Sequence, residues 1–224
     1  MATALNSSEQ EQLDQLKDFW KQYGNLITWV LILALGGFAA FQGWQRYQDS
    51  QATKAAVLYD ELDKAVQALD ADKAARVFGD IKERYPSTTY AAQAGLLAAR
   101  LQFDLERKDA ARASLEWVAG QAAEKEYRLV AQLRLAGMLL DEKKFDEALK
   151  LLPADAPPAF AALVADRRGD ILFAQGKTDE ARAAFQAAYD AMDPTLDYRR
   201  LLDAKLTALG GAAAAAPVAA GASK

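Results

Sequence analysis

The chain has 224 residues and a formal net charge of -4, and it contains neither cysteine nor histidine. Without these residues it cannot form disulfides, zinc sites with thiolate or imidazole ligands, or Cys–His and Ser–His–Asp catalytic sites. The mild negative charge also gives no electrostatic basis for binding nucleic acid. Alanine (50) and leucine (30) outnumber valine, isoleucine and threonine together (20), and this composition predicts an all-α protein.

The first predicted element is a short amphipathic segment over residues 1–21. Residues 8–11 have the Ser-x-x-Glu pattern of a capping box, which opens a helix. Leu13, Leu16 and Trp20 follow at helical spacing and would share one face. We expect a juxtamembrane helix that leans on the lipid, and the alternative is a fraying terminus.

The second predicted element is a transmembrane helix over residues 22–45, a run of 24 residues without a formal charge. As a helix this run would reach about 36 Å, which exceeds the roughly 30 Å of a bilayer core. Trp29 and Trp44 lie toward its ends, where aromatic side chains prefer the headgroup level. The alternative is the core helix of a soluble domain, but the run is longer than such a helix needs. A cleaved signal peptide is disfavoured, because the preceding stretch is acidic and no small-residue cleavage site follows.

The contacts and the orientation of this helix are less strongly indicated. Gly36, Ala40 and Gly43 are spaced to share one face, where small residues would let a partner transmembrane helix approach closely. The alternative is that glycine and alanine are merely tolerated in lipid. Positive charges flank the run on both sides in comparable number, so the positive-inside rule leaves the orientation open.

Residues 46–209 contain a repeated pattern, in which a residue of one helix is followed 12 positions later by alanine and then, four further on, by a large apolar residue. The four copies are Leu62, Ala74 and Phe78; Ala99, Ala111 and Leu115; Ala136, Ala148 and Leu152; and Gly169, Ala181 and Phe185. The alanines are 37, 37 and 33 residues apart. Such spacing is typical of tetratricopeptide repeats, so we predict a tetratricopeptide repeat-like α-solenoid of about four helix pairs. Residues 210–224, rich in alanine and glycine, are predicted to be disordered.

Short motifs frame the apolar run and the repeats. They are the Phe19–Gly24 lead-in, the Gly43–Trp44 exit, Tyr85–Ala91 at the end of the first repeat and Leu115–Val118 in the second. Together with the repeat register, they extend over the whole chain except its Ala-rich tail. In this combination the chain resembles the YfgM family, the ancillary subunit of the SecYEG translocon.

The resemblance implies a location and a set of partners. The protein would lie in the inner (cell) membrane of a Gram-negative bacterium as a single-pass protein, with a cytoplasmic N terminus and a periplasmic repeat domain. Its partners would be the SecYEG translocon, the periplasmic chaperone PpiD, and translocating or periplasmic polypeptides. Its role would be to assist the export or folding of translocated proteins.

The first helices of such repeats line a concave face, which is the expected groove for partners or clients. The register places the following residues there: Tyr59, Leu96, Arg100, Phe103, Val130, Leu133, Leu140, Asp170 and Phe173, with Asp63 and Asp166 beside them. Their apolar members would form a strip suited to an extended or helical peptide. The alternative is that several of them simply fill the interior of the solenoid.

These features predict a non-enzymatic, membrane-anchored protein-binding module that acts by proximity to the translocon. The alternative function is an envelope scaffold for the cell-division or peptidoglycan machinery, which an anchor and repeats would serve equally well. An enzyme is not expected, because the sequence offers no nucleophile–base pair and no phosphate-binding glycine loop. No catalytic residue, cofactor or metal is therefore predicted.

Overall fold

The computed structural model describes the backbone of residues 7–210 and the side chains of residues 13, 17 and 19–210. Within this range the chain forms α-helices and no strand, which confirms the predicted all-α class. The helices are α1 (Ser7–Gln67), α2 (Ala71–Arg84), α3 (Thr89–Asp104), α4 (Lys108–Gln121), α5 (Lys125–Asp141), α6 (Phe145–Leu151), α7 (Pro158–Ala174), α8 (Thr178–Ala191) and α9 (Tyr198–Ala208). The side chains of the predicted capping box, the side chain of Leu16, and all but the first residue of the predicted disordered tail lie outside the described residues.

Helix α1 is much longer than the predicted transmembrane helix, since it runs for 61 residues without interruption. The sequence suggested boundaries at residues 21/22 and 45/46, but the helix continues through both. The reason is local: residues 46–67 contain no proline or glycine and are rich in good helix formers. The last turns of α1 therefore serve as the first helix of the repeat region.

Two compact units divide the chain, residues 1–53 and residues 54–224. The first unit carries the apolar run. In the described part of the chain, α1 is the one helix that is long and apolar enough to cross a membrane. Its apolar side chains are exposed, as for Leu33 at 71%. They are thus not packed in the way that the core helix of a soluble domain would be.

The second unit is built from helices that pack in chain order. From α2 onward each helix contacts the next, and α3, α5 and α7 also contact one another in that order. All twelve residues of the repeated pattern are buried. The pattern therefore marks the contacts between successive helices, as the sequence predicted.

Four turns of the second unit have the same backbone geometry. Each contains one residue with a positive φ angle, namely Leu69 (55°), Glu106 (59°), Lys143 (61°) and Gly176 (78°). In each turn, this residue and its successor donate backbone hydrogen bonds into the last turn of the preceding helix, with N···O distances of 2.7–3.0 Å. This is a Schellman motif, which satisfies the final carbonyls of a helix. The four residues are spaced like the four repeat alanines, so backbone and side chains repeat together.

Helix α9 was not predicted as a separate element. Leu202 and Leu206 on one of its faces are almost completely buried, and they join a cluster that contains Phe185 of α8. The turn before α9 is closed by Asp193, whose carboxylate accepts hydrogen bonds from the backbone and hydroxyl of Thr195. Helix α9 thus covers the end of the repeat stack, as terminal capping elements do in solenoids.

Candidate functional site

The nine residues predicted to form the groove all lie in the second unit, on α1, α3, α5 and α7, but their surroundings differ. Leu96 and Val130 belong to the cluster shared by α3, α4 and α5. Leu133 and Leu140 pack against the cluster shared by α5, α6 and α7. These four side chains contribute mainly to the core, and the surface that they offer to a ligand is small.

Tyr59 lies at the N-terminal end of this surface, within a group of tyrosines. Its ring lies 5.7 Å, centroid to centroid, from that of Tyr90 on α3. On the neighbouring helix α5, the hydroxyl of Tyr127 accepts a 2.7 Å hydrogen bond from the amide of Gln93. Burial and the nearby carboxylate of Asp63 raise the pKa of Tyr59. The phenol therefore stays protonated and can donate a hydrogen bond at neutral pH.

A pocket of about 310 Å³ opens between α3, α5 and α7 and contains two of the predicted residues, Arg100 and Phe103. The remaining lining residues are Ala99, Asp104, Leu115, Arg134, Gly137, Met138, Asp141 and Arg167. Alanine, leucine, methionine and phenylalanine side chains form its apolar part, and charged side chains form its rim. The described residues contain no group of three or more carboxylates that could hold a metal ion.

Arg134 is the residue of this pocket that the sequence reasoning missed. One of its guanidinium nitrogens, Nη1, donates a 3.1 Å hydrogen bond to the carbonyl of Leu96. Burial and the nearby Arg100 lower its pKa. A sequence signal did exist, because Arg100, Arg134 and Arg167 follow one another at 34 and 33 residues, close to the repeat period.

Asp170 and Phe173, at the C-terminal end of the predicted groove, lie beside α9. The Nζ atom of Lys205 on α9 is 2.7 Å from carboxylate oxygens of both Asp166 and Asp170, and the hydroxyl of Tyr198 donates a 2.6 Å hydrogen bond to Asp166. Asp166 is only 4% exposed, whereas Phe173 is 55% exposed. A helix of the chain itself thus engages the carboxylates of this surface, while the aromatic ring beside them remains accessible.

The Tyr198–Asp166 hydrogen bond gives the fold a defined sensitivity to alkaline pH. Burial, together with the hydrogen bond to Asp166, raises the pKa of Tyr198 well above its ordinary value near 10. The unfolded chain loses this proton near pH 10 while the folded chain keeps it, so the unfolded state binds fewer protons. The stabilising contribution is therefore complete below about pH 10 and is lost as the pH rises above it. We expect the urea midpoint to fall above that pH, and to fall less steeply in Tyr198→Phe; equal slopes would contradict this.

The predicted transmembrane contact face, Gly36, Ala40 and Gly43, lies in the first unit and is exposed. A Cβ atom built on Gly36 or Gly43 would meet no atom of the described residues within 4 Å, apart from its own local backbone and chain neighbours. The face is thus open for another helix, and a contact there stays a prediction.

Comparison with known proteins relates this architecture to one family. Residues 17–211 match a family described as a tetratricopeptide repeat-like domain. A protein of Neisseria gonorrhoeae named ancillary SecYEG translocon subunit is 34% identical over 207 residues, which are 92% of this chain and 99% of that protein. Proteins of the same name from Haemophilus influenzae and Escherichia coli are 30% and 29% identical over 185 residues each. These two alignments cover 83% and 82% of this chain, and 90% and 88% of the relatives. No solved structure matches the chain.

The identity extends over nearly the full length of these relatives, including both the apolar part of α1 and the repeats. The predicted resemblance is thereby confirmed. The chain belongs to the YfgM family of ancillary SecYEG translocon subunits, which carry a tetratricopeptide repeat-like domain.

Proposed function

We propose that this protein is a non-enzymatic, membrane-anchored polypeptide-binding module that associates with the SecYEG translocon and assists the export or folding of translocated proteins. The observation that carries the proposal is its near full-length similarity to proteins named ancillary SecYEG translocon subunit. The exposed apolar run of α1 and the helical repeats supply an anchor and a binding surface. The described pockets contain no arrangement of a nucleophile and a base that would favour an enzyme.

The domain organisation that we propose follows from the helices. Residues 22–45 cross the inner membrane once, with residues 1–21 on the cytoplasmic side and residues 46–209 in the periplasm. Four helix pairs make up the repeat domain: the end of α1 with α2, α3 with α4, α5 with α6, and α7 with α8, followed by α9 as a cap. The four identical Schellman turns support this division, because one turn joins the two helices of each pair.

The mechanism that we propose is proximity. Only residues 46–54 separate the end of the apolar run from Ala55, the first buried residue of the repeat region. A domain tethered this closely to the membrane meets an emerging polypeptide at a high effective concentration, on the order of millimolar for short tethers. The same tether would bring a membrane-anchored periplasmic chaperone such as PpiD within reach of the first-helix surface.

Replacement of the anchor tests this proposal. We expect a chain in which a cleavable signal sequence replaces residues 1–45 to keep its folded repeat domain, because the core clusters begin at Leu62. The same chain should lose co-purification with the translocon. A matched chain with an unrelated membrane helix of equal length in place of residues 22–45 should keep the association if tethering alone suffices. Undiminished co-purification of the soluble form would contradict the tethering mechanism.

A further inference from the structure

The pocket between α3, α5 and α7 contains a cation with an incomplete set of partners. Arg134 forms no ion pair with any residue whose side chain the structure describes, and its printed hydrogen bond goes to a neutral carbonyl group. The other two arginines of the pocket each lie near a carboxylate, Arg100 at 3.7 Å from Asp104 and Arg167 at 3.9 Å from Asp170. Guanidinium groups bind carboxylates through parallel hydrogen bonds, which are stronger when the site is partly desolvated.

The charges around the pocket define how much negative charge it can accept. Its lining contains three arginines and two aspartates, which leaves a formal charge of +1. A single carboxylate matches this charge. A phosphate group carries more negative charge, and Asp104 and Asp141 on the rim would repel it.

The apolar part of the pocket defines what accompanies the carboxylate. Phe103 is 39% exposed at the rim, while Ala99, Leu115 and Met138 are buried below it. The volume of about 310 Å³ accommodates one or two side chains rather than a folded domain. Gly137 keeps the pocket open on α5, since the guanidinium of Arg167 lies 3.4 Å from where a Cβ atom would be.

We propose that this pocket binds a polypeptide segment in which an aspartate or glutamate lies beside a large apolar side chain. The carboxylate pairs with Arg134 and Arg100, and the apolar side chain contacts Phe103 and the floor of the pocket. This inference rests on the proposed function, because it specifies which polypeptide segments the repeat domain selects. It predicts a preference for acidic and apolar segments over basic ones.

The test uses the full-length protein in detergent and a set of peptides with capped ends in a Gly/Ser background. The peptides differ in their central pair, which is Glu-Phe, Gln-Phe, Lys-Phe or Glu-Ala, and binding is measured by calorimetry. We expect Glu-Phe to bind about tenfold more tightly than Gln-Phe, the usual effect of a charge-assisted hydrogen bond. Glu-Ala and Lys-Phe should both bind more weakly than Glu-Phe.

Two variants assign the preference to the pocket. Arg134→Gln should remove the difference between Glu-Phe and Gln-Phe. Arg100→Gln should reduce it, and this second variant is safe for folding because the Arg100 side chain is exposed. The matched control is Arg168→Gln, since Arg168 lies outside this pocket and donates to the carbonyl of Pro153.

Three results would overturn the inference: equal binding of Glu-Phe and Gln-Phe, an undiminished preference in both Arg134→Gln and Arg100→Gln, or no measurable binding of any peptide at millimolar concentration. Failure of the inference is distinguishable from failure of the proposed function. Co-purification with the translocon would then persist while the preference for acidic segments is absent.

Discussion

Replacement of Lys205 by methionine is expected to lower the free energy of unfolding of the repeat domain by about 3 kcal/mol. Lys205 is the cation that lies between the carboxylates of Asp166 and Asp170, with Nζ···O distances of 2.7 Å to both. Asp166 is almost completely buried. Removal of the lysine would leave two neighbouring negative charges, and an uncompensated buried charge costs far more than a surface ion pair gains.

Urea titration of the full-length chain in detergent, followed by circular dichroism, measures this effect. Lys177→Met is the matched control, because Lys177 is exposed and its replacement should change stability by less than about 0.5 kcal/mol. The double variant Asp166→Asn with Lys205→Met should recover part of the loss, since it removes one of the stranded charges. A loss below about 1 kcal/mol in Lys205→Met would show that α9 is not held by this cluster.

Replacement of Gly169 by alanine is expected to cost about 2 kcal/mol of stability, although alanine is the better helix former. A Cβ atom at this position would lie 2.5 Å from Cδ1 and Cε1 of Phe185. The ring of Phe185 is itself buried in the cluster of α7, α8 and α9, so it cannot move away freely. The close crossing of α7 and α8 therefore depends on the missing side chain.

Gly79→Ala provides the control for this prediction, because Gly79 lies in α2 and a Cβ atom there would meet no atom within 4 Å apart from its own local backbone and chain neighbours. That variant should be more stable by up to about 1 kcal/mol, the difference in helix propensity. Combination of Gly169→Ala with Phe185→Leu should relieve the clash. If Gly169→Ala were as stable as Gly79→Ala, the close approach of α7 and α8 would be wrong.

The repeat domain could be predicted from the sequence because its signals are local and recur. The alanines Ala74, Ala111, Ala148 and Ala181 mark one helix crossing each, and all four are fully buried. Their spacing sets the register of the whole stack, since each pair of helices packs mainly against its neighbours. Leu62 fits the same register although it is large, because its side chain is enclosed by the cluster of α1, α2 and α3.

Other features could not be read from local patterns. Helix α9 is short, and its role depends on Lys205 reaching two carboxylates 35 and 39 residues earlier in the chain. Arg134 is not apolar, so a search for an apolar strip passed over it in favour of Leu133, which packs against the core. The continuous course of α1 was also missed, because a change from apolar to charged residues suggested a boundary where the backbone has none.

Photocrosslinking in living cells tests the central claim most directly, which is that the first-helix surface binds polypeptides at the translocon. A crosslinking residue would replace Phe103, which is exposed at the pocket, and the control would replace Lys150, which is exposed on α6. We predict adducts with translocon subunits, a periplasmic chaperone or secreted precursors from position 103, and few or none from position 150. Adducts from position 150 alone, or adducts only with cell-division or peptidoglycan proteins, would contradict this claim.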